Sequence, residues 1–284
     1  MGKDDKGSIQ SISGGFEMTK VSVILPVYDA KPSFLTKSIQ SIINQTFKDW
    51  ELIIVLDHSP AKIKRLTQTF LTNPKIKIVE NKFNLGLTKS VNRAVQTAHG
   101  KYIARMDADD IALPQRLWVQ YEFMEANKNV QLCGALVVLI DSKEKELGVK
   151  MFPLSWHALK INIFQYNPVI HPTWFFRKKF WEKAKGFNEK FKYAQDHEFL
   201  LRTIKSNSIV NVNEVLLKYR VNDKDAISIK KLKSQQLFSL KARLYHVKRY
   251  GFSLKNIVSI IRAMFSLLIP KKINLLIYKL FFWR

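Results

Sequence analysis

Short apolar runs alternate with stretches of helix length through the first half of this chain. That alternation limits the fold more than any other feature of the sequence. Val21–Val27 and Leu52–Leu56 are β-branched-rich runs with the composition of strands buried on both faces of a parallel sheet. Ile76–Val79 and Lys101–Met106 are further strand candidates. Pro32 opens a helical stretch to about Gln45 that places Leu35, Ile39, Ile42 and Ile43 on one face. Helices are also expected over about Ala61–Leu71, over Leu87–Ala98 with a stop at Gly100, and from Leu113-Pro114 to about Ala126. Strands separated in this way fold as a doubly wound, mostly parallel α/β sheet. Ligands bind such sheets beyond the carboxyl ends of the strands. Tyr28, Asp29, Asp57, Asp107 and Asp109 all fall at that edge.

Asp107-Ala108-Asp109-Asp110 ends the fourth strand candidate, and three carboxylates within four residues repel one another unless a cation or donor offsets them. The cluster suits either a solvated loop or the meeting point of a divalent metal and a phosphorylated ligand. After the first strand there is no G-x-G-x-x-G and no P-loop, but Pro26-Val27-Tyr28-Asp29. A nucleotide, if bound, is therefore not held by a glycine-rich turn at a helix N-terminus. The second half differs in character. Gln131–Ile140 and Val149–Phe152 are expected strands, after which aromatics thicken, with His171-Pro172-Thr173 before another strand. His171 suits either a contact to ligand or a satisfied place in the core. Ala194-Gln195-Asp196-His197-Glu198 opens a helix whose first-turn acids complement the dipole, a sufficient reason for them in itself.

The net charge of +24 is concentrated at the end of the chain: from Lys230 onward there are 13 Lys or Arg and no Asp or Glu. Ile257, Ile260, Ile261, Met264, Phe265 and Leu268 fall at helical spacing among these charges, and Lys271, Lys272, Lys279 and Arg284 interleave with apolar residues after Pro270. An interfacial helix on an anionic membrane has this composition. A nucleic-acid clamp or a packed helix with a solvated basic face are the competing readings. A single cysteine, Cys133, excludes an intrachain disulfide and a cysteine-based zinc site. No secretory signal and no apolar run long enough for a full span is expected. Residues 1–17 are expected to be a disordered leader ahead of a start at Met18.

Over about residues 20–220 the chain resembles glycosyltransferase family 2, the inverting nucleotide-sugar transferases of the GT-A fold. The resemblance rests on Ser22–Asp29, Ser41–Thr46, Ile53–Ser59, Asn84-Leu85-Gly86 with Asn92, Asp107-Ala108-Asp109 and Gln195-Asp196, in that order. It implies a GT-A catalytic domain over 18–225, with a nucleotide-binding half at about 18–112 and an acceptor half at about 113–225. The basic helical tail, 226–284, would follow. It further implies nucleotide-sugar contacts from Pro26, Tyr28, Asp29, Asp57, Asn84, Gly86, Asn92 and Asp107. Arg220 would add a contact near the phosphates, and His171, if it meets ligand, would reach a diphosphate oxygen or the acceptor. Asp109 would be the direct ligand of Mn²⁺ or Mg²⁺, Asp107 would reach the ribose or the metal's water shell, and Asp196 would be the general base. Asn222, where relatives often carry histidine, and Asp29-Ala30-Lys31, in place of the more usual Asn-x-Glu, depart from the family pattern.

The expected activity is metal-dependent, inverting transfer of a hexose from a UDP-sugar, forming a β-linkage. Its acceptor would be a hydroxyl of a lipid-linked, polyprenyl diphosphate-type glycan, as in surface polysaccharide, O-antigen or lipopolysaccharide assembly. The enzyme would sit peripherally on the cytoplasmic face of the inner membrane, with no nucleic-acid partner. The alternatives are a basic nucleic-acid-binding α/β protein with a structural acidic loop, and a catalytically degenerate membrane-associated homologue.

Overall fold

The structure is a computed structural model and describes residues 19–221, 231–270 and 273–274. The expected leader, Asn222 and most of the stretch after Pro270 lie outside the described residues. In chain order the elements are β1 (Val21–Val27), α1 (Pro32–Ile43), β2 (Trp50–Asp57), α2 (Ala61–Gln68), β3 (Ile76–Asn81), α3 (Leu87–Thr97), β4 (Tyr102–Arg105), β5 (Ile111–Ala112) and α4 (Arg116–Ala126). The second half contributes β6 (Val130–Ile140), β7 (Glu146–Lys150), α5 (Trp156–Asn162), β8 (Phe175–Arg177), α6 (Lys178–Lys183), α7 (Gln195–Thr203) and β9 (Ser208–Arg220). Two helices follow, α8 (Leu232–Tyr250) and α9 (Leu254–Leu268).

The strands form one nine-stranded sheet in the order β3-β2-β1-β4-β8-β6-β9-β5, with β7 on the side of β6. The longer ladders, β1–β2, β2–β3 and β6–β9, are parallel. The short β8 runs antiparallel to both β4 and β6 and so splices the first half of the sheet to the second. Alternate residues of each strand feed opposite layers, as the two-residue repeat requires. Val21, Val23, Leu25, Leu52, Ile54 and Leu56 join α1, α2 and α4 in one core. Ile24, Ile53 and Val55 join α3, α6, α7 and α8 in the other, where Phe176, Trp181 and Phe199 stack at 5.0–5.1 Å.

A proline inside the central strand β1 needs a reason, because it cannot donate to a ladder. Ile24 turns its carbonyl toward β4, accepting from Met106 N, and the β1–β4 register ends at Ile24. Pro26 faces the same side one pleat further on, where β4 has already left the sheet, so no bond is forfeited. The proline sits where the sheet opens into the site.

α8 and α9 are packed onto the second half rather than trailing from it. Leu240, Ala242, Arg243, His246 and Val247 of α8 are buried. His246 Nε2 lies 3.2 Å from Glu198 Oε1, and Tyr250 Oη donates to Leu201 O at 2.9 Å, both on α7. Gly251, at φ 79°, breaks the continuous helix that the tail composition suggested. α9 is amphipathic in the reverse sense. Asn256 and Ser259 are its buried residues, whereas Ile257, Ile261, Met264, Phe265 and Leu268 are exposed.

Candidate active site

The acidic loop is clamped on two sides. From α1, Ser38 Oγ donates to Asp107 O at 2.8 Å and Ser41 Oγ accepts from Ala112 N at 3.1 Å. From β9, Arg220 N donates to Asp110 Oδ1 at 2.9 Å and Arg220 Nε to Asp109 O at 2.8 Å. Arg105, a buried cation at the end of β4, gives Nη1 to Met106 O and Nη2 to Asp107 Oδ1, the latter at 2.6 Å. Arg116, wholly buried, donates to Arg105 O at 2.7 Å, and burial lowers its guanidinium to about 10. Three arginines therefore lie under three carboxylates.

They do not cancel the repulsion evenly. Asp110 is buried, and its Oδ2 has no hydrogen-bond partner among the described residues. Burial first, then the charges of Asp109 and Asp107, push its carboxyl well above the ordinary carboxylate range. Asp107 and Asp109 stay partly accessible at the lip. A partnerless buried oxygen beside two accessible carboxylates is the environment a cation relieves. Among the described residues no three His, Cys, Asp or Glu side chains converge as a complete metal site. Two carboxylates are nevertheless what a magnesium-type ion takes from protein when phosphate oxygens and water supply its other ligands.

Asp57 closes the nucleotide-side edge. Its Oδ1 accepts from Leu85 N at 2.7 Å and Asn81 Nδ2 at 2.9 Å, and its Oδ2 from Gly86 N at 2.8 Å. The Asn84–Gly86 turn is thus moulded onto this carboxylate, with Gly86 at φ 81°. His58 beside it is left-handed at φ 56°, strain of the kind that gathers at sites. Ser59 Oγ ties the edge back to Val27 O at 2.9 Å. Tyr28 is 52% exposed just beyond β1, and the exposed Asp29 has Lys62 Nζ at 3.9 Å. Asn92 is turned elsewhere: its amide bridges Phe187 N and Phe187 O at 2.9 and 3.0 Å, fastening α3 to the second half.

Arg220, expected near the phosphates, has its guanidinium wholly out of solvent. It stacks on Phe34 at 3.9 Å and donates to Asp141 O at 2.8 Å as well as to the acidic loop. In this structure it supports the loop and also pairs with Glu144 Oε1 at 3.3 Å.

Asp196 sits in the first turn of α7, behind Ala194, a left-handed N-cap at φ 52°. Burial raises its carboxyl above the usual range and the charge of Asp107 adds to that, against the His197 N–H and a hydrogen bond from Asn167. A raised carboxylate is the better proton acceptor near neutrality. His171 lies edge-on to Trp174 and Phe187 at 5.0 and 5.6 Å. Burial, with the charge of Arg105, drives its imidazole well below the ordinary histidine range, so the ring is neutral at pH 7. A cavity of 410 Å³ is lined by Asn84–Gly86, Thr88 and Lys89 on one side, Glu189, Lys190 and Lys192 on the other, and Phe238 of α8; none of the acidic-loop residues, His171 or Asp196 lines it.

Sequence reasoning missed Arg105, Arg116, Asn81 and Asn167. A charged or amide side chain inside an otherwise apolar run was the available signal for Arg105, and the Asn167-Pro168 turn for Asn167.

The profile of glycosyl transferase family 2 matches residues 22–194. The chain is 36% identical over 230 residues to an uncharacterised glycosyltransferase of Methanocaldococcus jannaschii, covering 80% of this chain and 79% of that one. It is 31% identical over 267 residues to the amylovoran biosynthesis glycosyltransferase AmsE of Erwinia amylovora, covering 91% and 97%. Among solved structures, S. aureus TarS in complex with UDP-GlcNAc superposes with a TM-score of 0.64 at 17% identity, covering 87% and 73%. The mannosyltransferase PcManGT of Pyrobaculum calidifontis, in complex with GDP-Man and Mn²⁺, does so at 0.62 and 15% identity, covering 90% and 72%. These structural likenesses establish the GT-A fold.

Proposed function

This chain belongs to glycosyl transferase family 2 and is a nucleotide-sugar glycosyltransferase; from that premise we propose that it transfers a hexose from a UDP-sugar, with inversion and β-linkage, to a hydroxyl of a lipid-linked glycan. The observation that carries the reading is convergence. Asp107 and Asp196 are distant in sequence, yet the charge of Asp107 bears on the Asp196 carboxyl, which supports reading the acidic loop and the candidate base as parts of one site.

The donor nucleotide lies against the carboxyl edge of β1, β2 and β4, with Pro26, Tyr28, Asp29 and Asp57 toward the base and Asn84 and Gly86 shaping the adjoining wall, which Asn92 fastens to the second half through Phe187. Asp107 faces the ribose. Asp109, with Asp107, would hold Mn²⁺ or Mg²⁺, which would supply Lewis-acid stabilisation of the diphosphate leaving group. The structure of PcManGT with Mn²⁺ supports such a requirement here. Asp196 takes the proton of the acceptor hydroxyl as that oxygen attacks the anomeric carbon from the face opposite the diphosphate. Neutral His171 can donate or accept a hydrogen bond at the reacting centre without adding charge.

The outward apolar stripe of α9, with Lys255 and Arg262 on the same helix, supports docking on an anionic membrane surface at the cytoplasmic face. Among the described residues no helix is long and apolar enough to cross a membrane. AmsE, named for amylovoran biosynthesis, supports a polysaccharide product and hence a glycan acceptor on a lipid carrier.

The test is thermal melting with UDP and Mn²⁺, alone and together, followed by donor hydrolysis across a panel of UDP- and GDP-sugars. UDP plus Mn²⁺ raises the melting midpoint of the wild type and leaves that of Asp109→Ala unchanged. Indifference to every nucleoside diphosphate, combined with salt-sensitive oligonucleotide binding, would return the protein to the basic-clamp reading. UDP binding without hydrolysis or transfer would identify a degenerate homologue.

A further inference from the structure

We propose that Asn167 is the positioning residue of the Asp196 carboxylate, and that the C-terminal helices hold it in place through Arg243. The inference rests on the reading of Asp196 as base. Asn167 Nδ2 donates to Asp196 Oδ2 at 2.8 Å, and Asn167 Oδ1 accepts from Val169 N at 3.0 Å. The amide is thereby locked at both ends, because only its nitrogen can face a carboxylate and only its oxygen a backbone N–H. An ionised carboxylate accepts about four hydrogen bonds, so those from Asn167, His197 N and Asp196's own backbone N–H leave capacity for an acceptor hydroxyl.

The loop that carries Asn167 is held from four elements. Arg243 of α8 donates through Nε to Phe164 O at 2.8 Å and through Nη2 to Gln165 O at 2.6 Å. Ser259 of α9 donates to Phe164 O at 3.2 Å, and Asn211 of β9 to Pro168 O at 3.0 Å. His197 Nε2, on α7, lies 2.7 Å from Ile163 O. Arg243 is buried and spends its fork on carbonyls and on Ser239, with no carboxylate partner among the described residues. A buried guanidinium with no counter-ion is a costly way to gain stability alone. It is well suited to fixing two adjacent carbonyls, and so the residue two places on.

The groups that face Asp196 are few. Asp107, beyond the end of β4, contributes a like charge, and Asn167 contributes the only side-chain hydrogen bond among the described residues. Its helical neighbours point elsewhere, His197 to Ile163 O and Ser239 and Glu198 to Arg202 and His246. Loss of the Asn167 donor therefore leaves the carboxylate more basic and its orientation free.

The experiment is the pH dependence of UDP-sugar hydrolysis, with the best donor of the panel and water as acceptor, on the full chain with Mn²⁺. Asn167→Ala is expected to lower kcat about tenfold with KM for the donor unchanged, and to move the acid limb to higher pH. Near-isosteric Asn167→Asp sets a second carboxylate against Asp196 and should move the limb further in the same direction. It also serves if the alanine variant fails to fold. Arg243→Gln should act in the same sense, and the double variant Asn167→Ala/Arg243→Gln should be no worse than Asn167→Ala alone. An acid limb unmoved in both Asn167 variants, or an effect confined to KM, overturns the positioning role. Additive losses overturn the route through Arg243. Asp196→Asn separates the levels: wild-type hydrolysis in that variant sinks the base itself, whereas a dead Asp196→Asn beside an unmoved Asn167→Ala limb sinks only this inference.

Discussion

The sheet holds a lone glutamate at its amino edge and a carboxylate cluster at its carboxyl edge, and the two solve one electrostatic problem in opposite ways. At the amino edge, Glu51 of β2 is buried but fully subscribed. It accepts from Ser22 Oγ at 2.6 Å, His99 N at 2.7 Å and Lys77 Nζ at 2.9 Å. Burial alone would raise its carboxyl, but the hydrogen bonds from Lys77, Ser22 and His99 win and bring it down to about 2. At the carboxyl edge, Asp110 has one oxygen on Arg220 N and the other on nothing described, and its carboxyl is pushed up. Three arginines close by do not change that outcome, because their side chains donate to carbonyl groups, to Gln120 and to the carboxylates of Asp107 and Glu144 rather than to Asp110 Oδ2. The amino edge is built to be finished without a ligand. The carboxyl edge holds its repulsion in reserve for something that arrives later.

The largest effect that could break this contrast is functional. Asp109→Ala should reduce donor turnover by about 10³-fold or more, since metal stabilisation of the leaving group is worth several kcal/mol. Its melting midpoint without ligand should not fall, because one of three mutually repelling carboxylates is gone. A stable variant with wild-type turnover would mean that the acidic edge is merely a solvated turn.

Glu51→Gln should do the reverse. A fall from 4.5 to about 2 corresponds to about 3 kcal/mol at neutral pH, and the neutral amide forfeits most of it. We expect about 2–3 kcal/mol in urea unfolding with kcat unchanged. The sign is that of a depressed carboxyl: the contribution is full above the ordinary glutamate range and is lost as pH falls from about 4.5 toward 2. The wild type should therefore destabilise across that acid window and Glu51→Gln much less, as followed by circular dichroism.

Ser22→Ala sharpens the same edge on a smaller scale. Ser22 Oγ donates to Glu51 and accepts from Gly100 N at 2.8 Å, so its loss should cost about 1–2 kcal/mol in the same unfolding assay. The smallest effect belongs to Asp110→Asn. Burial and its neighbours already favour the neutral form, so a neutral isostere should shift stability by less than about 1 kcal/mol. As a raised carboxyl, Asp110 weakens the fold as pH rises through its titration, opposite in sign to Glu51. A loss as large as that of Glu51→Gln would erase the distinction between the two edges.

Much of the first half of the fold was legible in the sequence because its strands are buried on both faces and read as unbroken apolar runs. β1, β2 and β4 fall where their composition put them, and α1 begins at Pro32 as expected. β9 was not legible. Asn211, Asn213 and Glu214 interrupt its apolar pattern, and its ladder with β6 slips register at three points. β7 lies at Glu146–Lys150 instead of Val149–Phe152, since none of its residues is buried and no face marks its bounds. The acidic loop announced itself by local charge alone. Its support did not, because Ser38, Arg105 and Arg220 meet it only through the fold. The same holds for Asn167: nothing in an Asn-Pro turn discloses a carboxylate that the chain supplies many residues later. The tail was legible as basic and amphipathic, but not as a part of the second core.

The reversed amphipathy of α9 has a kinetic consequence. If its apolar stripe rests on a bilayer, enzyme and carrier lipid share a plane, and their encounter becomes a search in two dimensions at a high effective concentration. Turnover would then follow the surface density of acceptor rather than its bulk amount. Diluting the acceptor lipid with inert lipid, at constant total acceptor, would slow the enzyme even though no molecule of substrate had been removed.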